Sequence, residues 1–148
     1  MKTINQLLKV LNDFADSHLQ IGSFGSGDIS EIEANGAKDG SIMWVSLAGS
    51  SHNDTRRTVS FNVLFMDLTY PDMSNQWEVW SDEELKAYDL ITYLNDKDNN
   101  DSWTDFEVQT DGQLTPFTER FNNDYTGWMI TVNIITEYLH DECAQPIS

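Results

Sequence analysis

The sequence predicts an α+β fold, a mainly antiparallel β-sheet packed by an N-terminal helix and a second helix. Three observations carry this expectation. One stretch near the N-terminus repeats apolar residues at helical spacing, two long stretches alternate with the period of a strand, and the helical stretches are too few for the crossovers of a parallel sheet. The length of 148 residues fits a single domain, 1–148, with an extended C-terminal tail from about residue 139.

Ile4, Leu7, Leu8, Leu11, Phe14 and Ala15 recur every three or four residues, and Thr3 with Gln6 forms a capping-box pattern, so a helix is expected from about Ile4 to His18. Gly22, Gly25 and Gly27 then end it and give a bendable connection into Asp28 to Glu33, which alternates like an edge strand. Ile42 to Ala48 reads as a buried strand, followed by a loop from Gly49 to Thr55. From Arg57 to Tyr70 the alternation is strongest. Val59, Phe61, Val63 and Phe65 share one face and Leu64, Met66 and Leu68 the other, as in a long central strand that Pro71 and Asp72 close. Ser81 to Glu84 offers a second capping box before Leu85, Tyr88, Ile91 and Leu94, which predicts a helix there, begun as early as Gln76. After the acidic loop Asn95 to Ser102, Trp103 to Gln109 alternates as a strand with Asp111-Gly112 as its turn. Gly127 to Tyr138 predicts a last long strand, with Trp128, Ile130, Val132 and Ile134 on one face and Met129, Thr131, Asn133 and Ile135 on a partly exposed second face.

The 25 acidic and 8 basic residues give a formal net charge of -17, which excludes wrapping of a nucleic-acid backbone and disfavours anionic membranes. The excess is regional. Residues 1 to 70 hold 8 acids and 5 bases, whereas 71 to 148 hold 17 and 3. A solvated acidic face serves solubility, and the same face suits repulsion of DNA or docking on a basic partner. The single cysteine, Cys143, allows neither an intramolecular disulfide nor a cysteine-rich zinc site, and the acids beside it favour an unreactive thiol. A membrane helix and a signal peptide are not expected, which places synthesis in a cytoplasm.

The stretch Asp96 to Glu107 approaches an EF-hand calcium loop, with Asp96, Asp98, Asn100 and Glu107 at ligand places. Against calcium, Asp101 stands where glycine makes the turn, and a strand follows instead of a helix. His18, His52 and His140 lie outside any recognisable nucleophile turn, and Asp82, Glu83 and Glu84 open a helix, where acids favour its dipole. The expectation is a protein that is not an enzyme and has no cofactor beyond a candidate Ca²⁺. Five tryptophans require a place: Trp44, Trp103 and Trp128 fit a core, while Trp77 and Trp80 beside an acidic helix start suit an interface that includes Tyr70.

The Trp-bearing strand, the long strand Thr58 to Tyr70, the segment Trp80-Ser81-Asp82, the run Pro116-Phe117-Thr118-Glu119-Arg120-Phe121 and the strand opened by Gly127-Trp128 together resemble small phage neck proteins, of the tail terminator or tail-completion family and the neck rings of crAss-like phages. That resemblance spans nearly the whole chain and implies a non-enzymatic virion structural protein, one subunit of a homo-oligomeric ring at the head-to-tail junction. Its implied partners are portal, adaptor or tail proteins, with DNA passing through and no membrane contact, and its implied location is the virion, after assembly in the host cytoplasm. Arg56 and Arg57, in a loop reaching the next subunit, join Tyr70, Trp77 and Trp80 as expected interface residues. Two other readings share the composition: an acidic DNA mimic that inhibits a host DNA-binding enzyme, and a small calcium-binding module.

Overall fold

A computed structural model of the chain describes residues 3–28, 41–53, 55–70, 72–95, 106–110, 113–120 and 124–137. The expected α+β class is what the chain adopts. Two helices, α1 (Ile4–Ser17) and α2 (Gln76–Asn95), pack on a sheet of β1 (Ser23–Ser26), β2 (Ile42–Asn53), β3 (Arg56–Leu68), β4 (Phe106–Gln109), β5 (Leu114–Arg120) and β6 (Asp124–Glu137). The strand order is β1-β2-β3-β6-β4, with β5 also on β6. Among the described residues, only β1 against β2 is parallel.

Helix α1 starts as its residues dictate. The Gln6 amide donates to Thr3 Oγ1 at 3.2 Å and the Thr3 amide to Gln6 Oε1 at 2.8 Å, closing the expected capping box. Its apolar stripe of Leu7, Val10, Leu11, Phe14 and Ala15 meets Val59, Phe61, Val63 and Phe65 of β3, Ile130, Val132 and Ile134 of β6, and Ala87, Leu90 and Leu94 of α2 in one buried cluster. A smaller cluster, Ile42, Trp44, Leu64, Met66 and Tyr125, lies on the opposite face of the sheet at one end. Farther along that face, the cross-strand pairs Ser60–Asn133 and Asn62–Thr131 form polar rungs, the first with Ser60 Oγ donating to Asn133 Oδ1 at 2.5 Å and the second with Thr131 Oγ1 donating to Asn62 Oδ1 at 2.9 Å.

Four local expectations are corrected. The glycine-rich connection contains β1, because Gly25 lets the backbone pass beside the Trp44 ring and Phe24 packs on the main cluster. The loop expected over Gly49 to Thr55 is largely strand: β2 runs on to Asn53 in register with β3, with a bulge between Leu47 and Gly49. No apolar alternation marks this half because both of its faces are exposed. Ser81 does not cap a helix; it lies within α2, with its hydroxyl donating to the Trp77 carbonyl at 3.0 Å. Finally, the expected apolar stripe of α2 is rotated in its first half, while Ile91 and Leu94 of that stripe do meet the main cluster. Val79, Glu83, Lys86, Ala87, Leu90 and Leu94 are buried, whereas Leu85 and Tyr88 are exposed. The expected edge strand over Asp28 to Glu33, Trp103, the Asp111-Gly112 turn and the tail from about 139 fall wholly or mainly outside the described residues.

Strands β4 and β5 follow one another along one edge of β6 instead of pairing with each other. Gln109 faces Asn133 and Leu114 faces Ile130, five residues apart on one side and three on the other. An insertion of two residues preserves the alternation of faces, which is why Val108 and Leu114 both reach the main cluster.

The turn that delivers α2 is held by local polar bonds. The Tyr70 amide donates to Asn75 Oδ1 at 2.8 Å, and the Ser74 amide donates to Asp72 Oδ1 at 3.0 Å. That backbone hydrogen bond from Ser74 holds the Asp72 carboxyl below its ordinary range. Met73, at the centre, has φ of 61°, a left-handed conformation that costs an L side chain on the order of 1–2 kcal/mol. Met73→Gly is therefore expected to raise stability by about 0.5–1 kcal/mol, read as a higher urea midpoint at unchanged slope.

Candidate functional site

The rotation of α2 creates both of its notable features, one buried and one exposed. On the inner side, Lys86 Nζ donates to Glu83 Oε1 at 2.8 Å and Ser41 Oγ donates to Glu83 Oε2 at 2.9 Å, with Glu83 fully buried and Lys86 nearly so. Burial pushes the Glu83 carboxyl above its ordinary value of 4.5 against the opposing pull of Lys86 and Ser41, and the nearby Asp67 charge adds to the rise. Ser41 also accepts at its carbonyl from the Gly22 and Ser23 amides, so this polar knot ties α2 to the starts of β1 and β2. No groove-lining residue belongs to it. The knot is a structural device, with every charged group in it partnered.

On the outer side, Trp77, Trp80, Ser81 and Glu84 of α2 meet Pro116 of β5 and Trp128 of β6 around an open groove of about 390 Å³. Helical spacing puts Trp77, Ser81 and Glu84 on one face, because positions four and seven residues along return to the same side. Cross-strand pairing of Pro116 with Trp128 supplies the opposite wall. The Trp128 indole donates to the Trp80 carbonyl at 2.7 Å, and Gln76 Nε2 donates to Thr118 Oγ1 at 2.9 Å, which seats the start of α2 against the hairpin of β5 and β6. Trp77 and Trp80 stand edge to face, with ring centroids 5.2 Å apart and planes at 80°. Trp77 is 77% exposed, an unusual placement for a large aromatic side chain. Tyr70, Leu85 and Tyr88 are further exposed large side chains. Glu84 is half-buried and has neither a hydrogen bond nor an ion pair among the described residues. The enclosed Trp80 Nε1 likewise has no acceptor among them.

A second exposed feature lies at the diagonally opposite corner of the sheet. β1 covers the outer edge of β2 only from Ile42 to Val45. From Ser46 to Asn53 that edge has no neighbouring strand among the described residues. No Asp, Glu, Lys, Arg or Pro stands between Ser41 and Asn53, in a chain that is 22% charged. Strand edges are normally blunted by such residues. Among the described residues, the bulge at Leu47/Gly49 is the device that does so here.

The expected interface residues therefore divide into two places. Trp77 and Trp80 line the groove and exposed Tyr70 lies in the turn before α2, while Arg56 and Arg57 begin β3 at the other end of the sheet. The groove wall at Trp128 pairs with Phe65, eight residues along β3 from Arg57, a separation of about 25 Å at strand rise. Arg56 bonds Glu107 at 3.4 Å, which gives this member of the expected calcium set an ion pair; Asp96, Asp98 and Asn100 lie outside the described residues. Among the described residues no cluster of three or more metal-ligating side chains occurs, and no helix is long and apolar enough to cross a membrane. Sequence reasoning missed Glu84, Pro116 and Trp128 as parts of the groove. The available signal was the spacing of Trp77, Ser81, Glu84 and Tyr88 on one helical face; the Pro116 and Trp128 wall depends on strand pairing. No protein-family model and no curated protein sequence matches the chain.

Proposed function

We propose that the protein is a non-enzymatic assembly subunit that joins neighbouring copies head to tail, as a ring protein of a phage neck of the tail-terminator type. The observation that carries this reading is the edge of β2 from Ser46 to Ser51, which has no neighbouring strand among the described residues and no charged residue or proline, set against an aromatic groove at the opposite corner. Two different patches at opposite ends favour heterologous contacts, which close into rings when the rotation between copies permits. A free strand edge without charge or proline is suited to pairing with another chain. Repetition of the net charge around a central opening would produce a strong negative field that keeps passing DNA from adhering. Resemblance of the Trp80-Ser81-Asp82, Pro116 to Phe121 and Gly127-Trp128 segments to neck proteins supplies the biological setting.

Native mass spectrometry of the purified chain and composition analysis of virus particles test the proposal together. A closed oligomer is expected, and Ser50→Lys with Ser51→Lys should reduce it to monomer while leaving the melting temperature nearly unchanged, since both positions are exposed. A chain that stays monomeric at high concentration, is absent from particles and binds a host DNA-processing enzyme as a single copy would instead establish the DNA-mimic alternative.

A further inference from the structure

The geometry points to the Trp77–Trp80–Glu84 groove as the seat of an arginine side chain presented by a basic segment of a partner protein. This inference rests on reading the outer face of α2 as a contact surface. Its starting point is Glu84, a partly exposed residue that lines the groove with Trp77, Trp80, Pro116 and Trp128 and has no partner among the described residues. A carboxylate partly removed from water gains most from a cation that is itself easily desolvated. Indole faces attract cations through their negative quadrupole, and tryptophan does so best. A guanidinium is planar, weakly hydrated and able to stack on an aromatic ring while its N–H groups reach a carboxylate; an ammonium is a compact, strongly hydrated charge. Two indoles at 80° to one another with a carboxylate on the same helical face provide the corner such a group fills.

The surroundings have the same sign preference. Exposed Glu78 and Asp82 flank the groove on α2, and residues 71 to 148 carry 17 acids against 3 bases. Glu78 stands in the first turn of α2 and offsets the positive end of the helix dipole, leaving Glu84, two turns farther along, to set the charge of the groove. An anionic ligand would meet these carboxylates with no described cation in the lining. The chain's own Lys86 is committed to Glu83 on the opposite side of α2.

The test is titration of the full-length chain with a short peptide carrying one arginine between glycines, followed through the indole N–H signals of the tryptophans by nuclear magnetic resonance. Trp77, Trp80 and Trp128 signals should shift together. The peptide with citrulline in place of arginine, equal in shape but uncharged, should bind about tenfold more weakly, as should the arginine peptide to Trp77→Ala and to Glu84→Gln. Trp77 and Glu84 are surface-facing, so unchanged melting curves certify that these variants fold. Equal binding of the citrulline peptide, or absence of any shift, overturns the proposal. So does an effect of Trp77→Ala confined to self-association. A monomeric chain that binds the peptide defeats the ring reading alone; a ring indifferent to both peptide and Glu84→Gln defeats this inference alone.

Discussion

Lys86→Met is expected to destabilise the protein by about 3–5 kcal/mol at neutral pH, because it strands the Glu83 carboxylate in the core with Ser41 as its remaining partner. The double variant Glu83→Leu/Lys86→Met should recover most of this loss. Removing both charges abolishes two desolvation costs, and apolar side chains of similar volume suit a stripe that otherwise contains Val79, Ala87, Leu90 and Leu94. Chemical denaturation of the wild type and both variants measures the difference; a Lys86→Met loss below about 1 kcal/mol would contradict the assignment. The pH dependence has a definite sign. Burial raises the Glu83 carboxyl above 4.5, so the folded protein binds this proton more tightly than the unfolded chain does. Its contribution to stability is fully present below 4.5 and is lost as pH rises through the raised value. Wild type measured against the double variant should therefore lose relative stability on going from acid toward neutral pH. The penalty of Lys86→Met should shrink on acidification, as Glu83 takes up a proton and ceases to be a buried charge.

Gly127→Ala should be equally severe, costing about 4 kcal/mol or more, with much of the chain recovered as aggregate. Gly127 lies where β6 crosses Met66 of β3 on one side and Phe117 of β5 on the other. A methyl group added there overlaps the Phe65 carbonyl oxygen and stands 2.8 Å from the Met66 Cα. The obstacle is backbone in the central strand, which cannot rotate aside as a side chain does. Relief requires separating β3 from β6, the pair on which the main cluster is built. Gly25→Ala provides a milder comparison, because its methyl meets the ring of Trp44, a buried side chain on β2 between β1 and β3, and not the backbone of a central strand. A smaller loss for Gly127→Ala than for Gly25→Ala would show that the β3–β6 contact is less rigid than its register implies.

The outer face of α2 connects these effects to function. Substitution of the inner knot acts through stability, whereas Glu84→Gln and Trp77→Ala act on the groove with little effect on folding. The helix turns Glu83 inward and Glu84 outward, one hundred degrees apart by helical geometry. Adjacent glutamates in one acidic run thus receive different surroundings: one is neutralised by Lys86 within the core, and the other lines the open groove.

The sequence by itself determined the helix Ile4–Ser17, down to the reciprocal bonds of Thr3 and Gln6, and the two long strands β3 and β6 with their correct inward faces. These features are local: a capping box and a period of two or 3.6 are written in neighbouring residues. Tertiary structure alone decided that β2 continues past Ala48, that β5 extends the edge of β6 beyond β4, and which side of α2 is buried. Strand pairing with β3 and β6 supplies hydrogen bonds that no local pattern announces, so polar, exposed strands look like loops when read alone. On α2 the apolar residues Leu85 and Tyr88 suggested one inner face, yet Lys86 and Glu83 occupy the other because each satisfies its partner's charge and Ser41 completes the set. A buried ion pair is a property of two side chains and the fold around them, and so the groove on the opposite face of that helix became visible only in three dimensions.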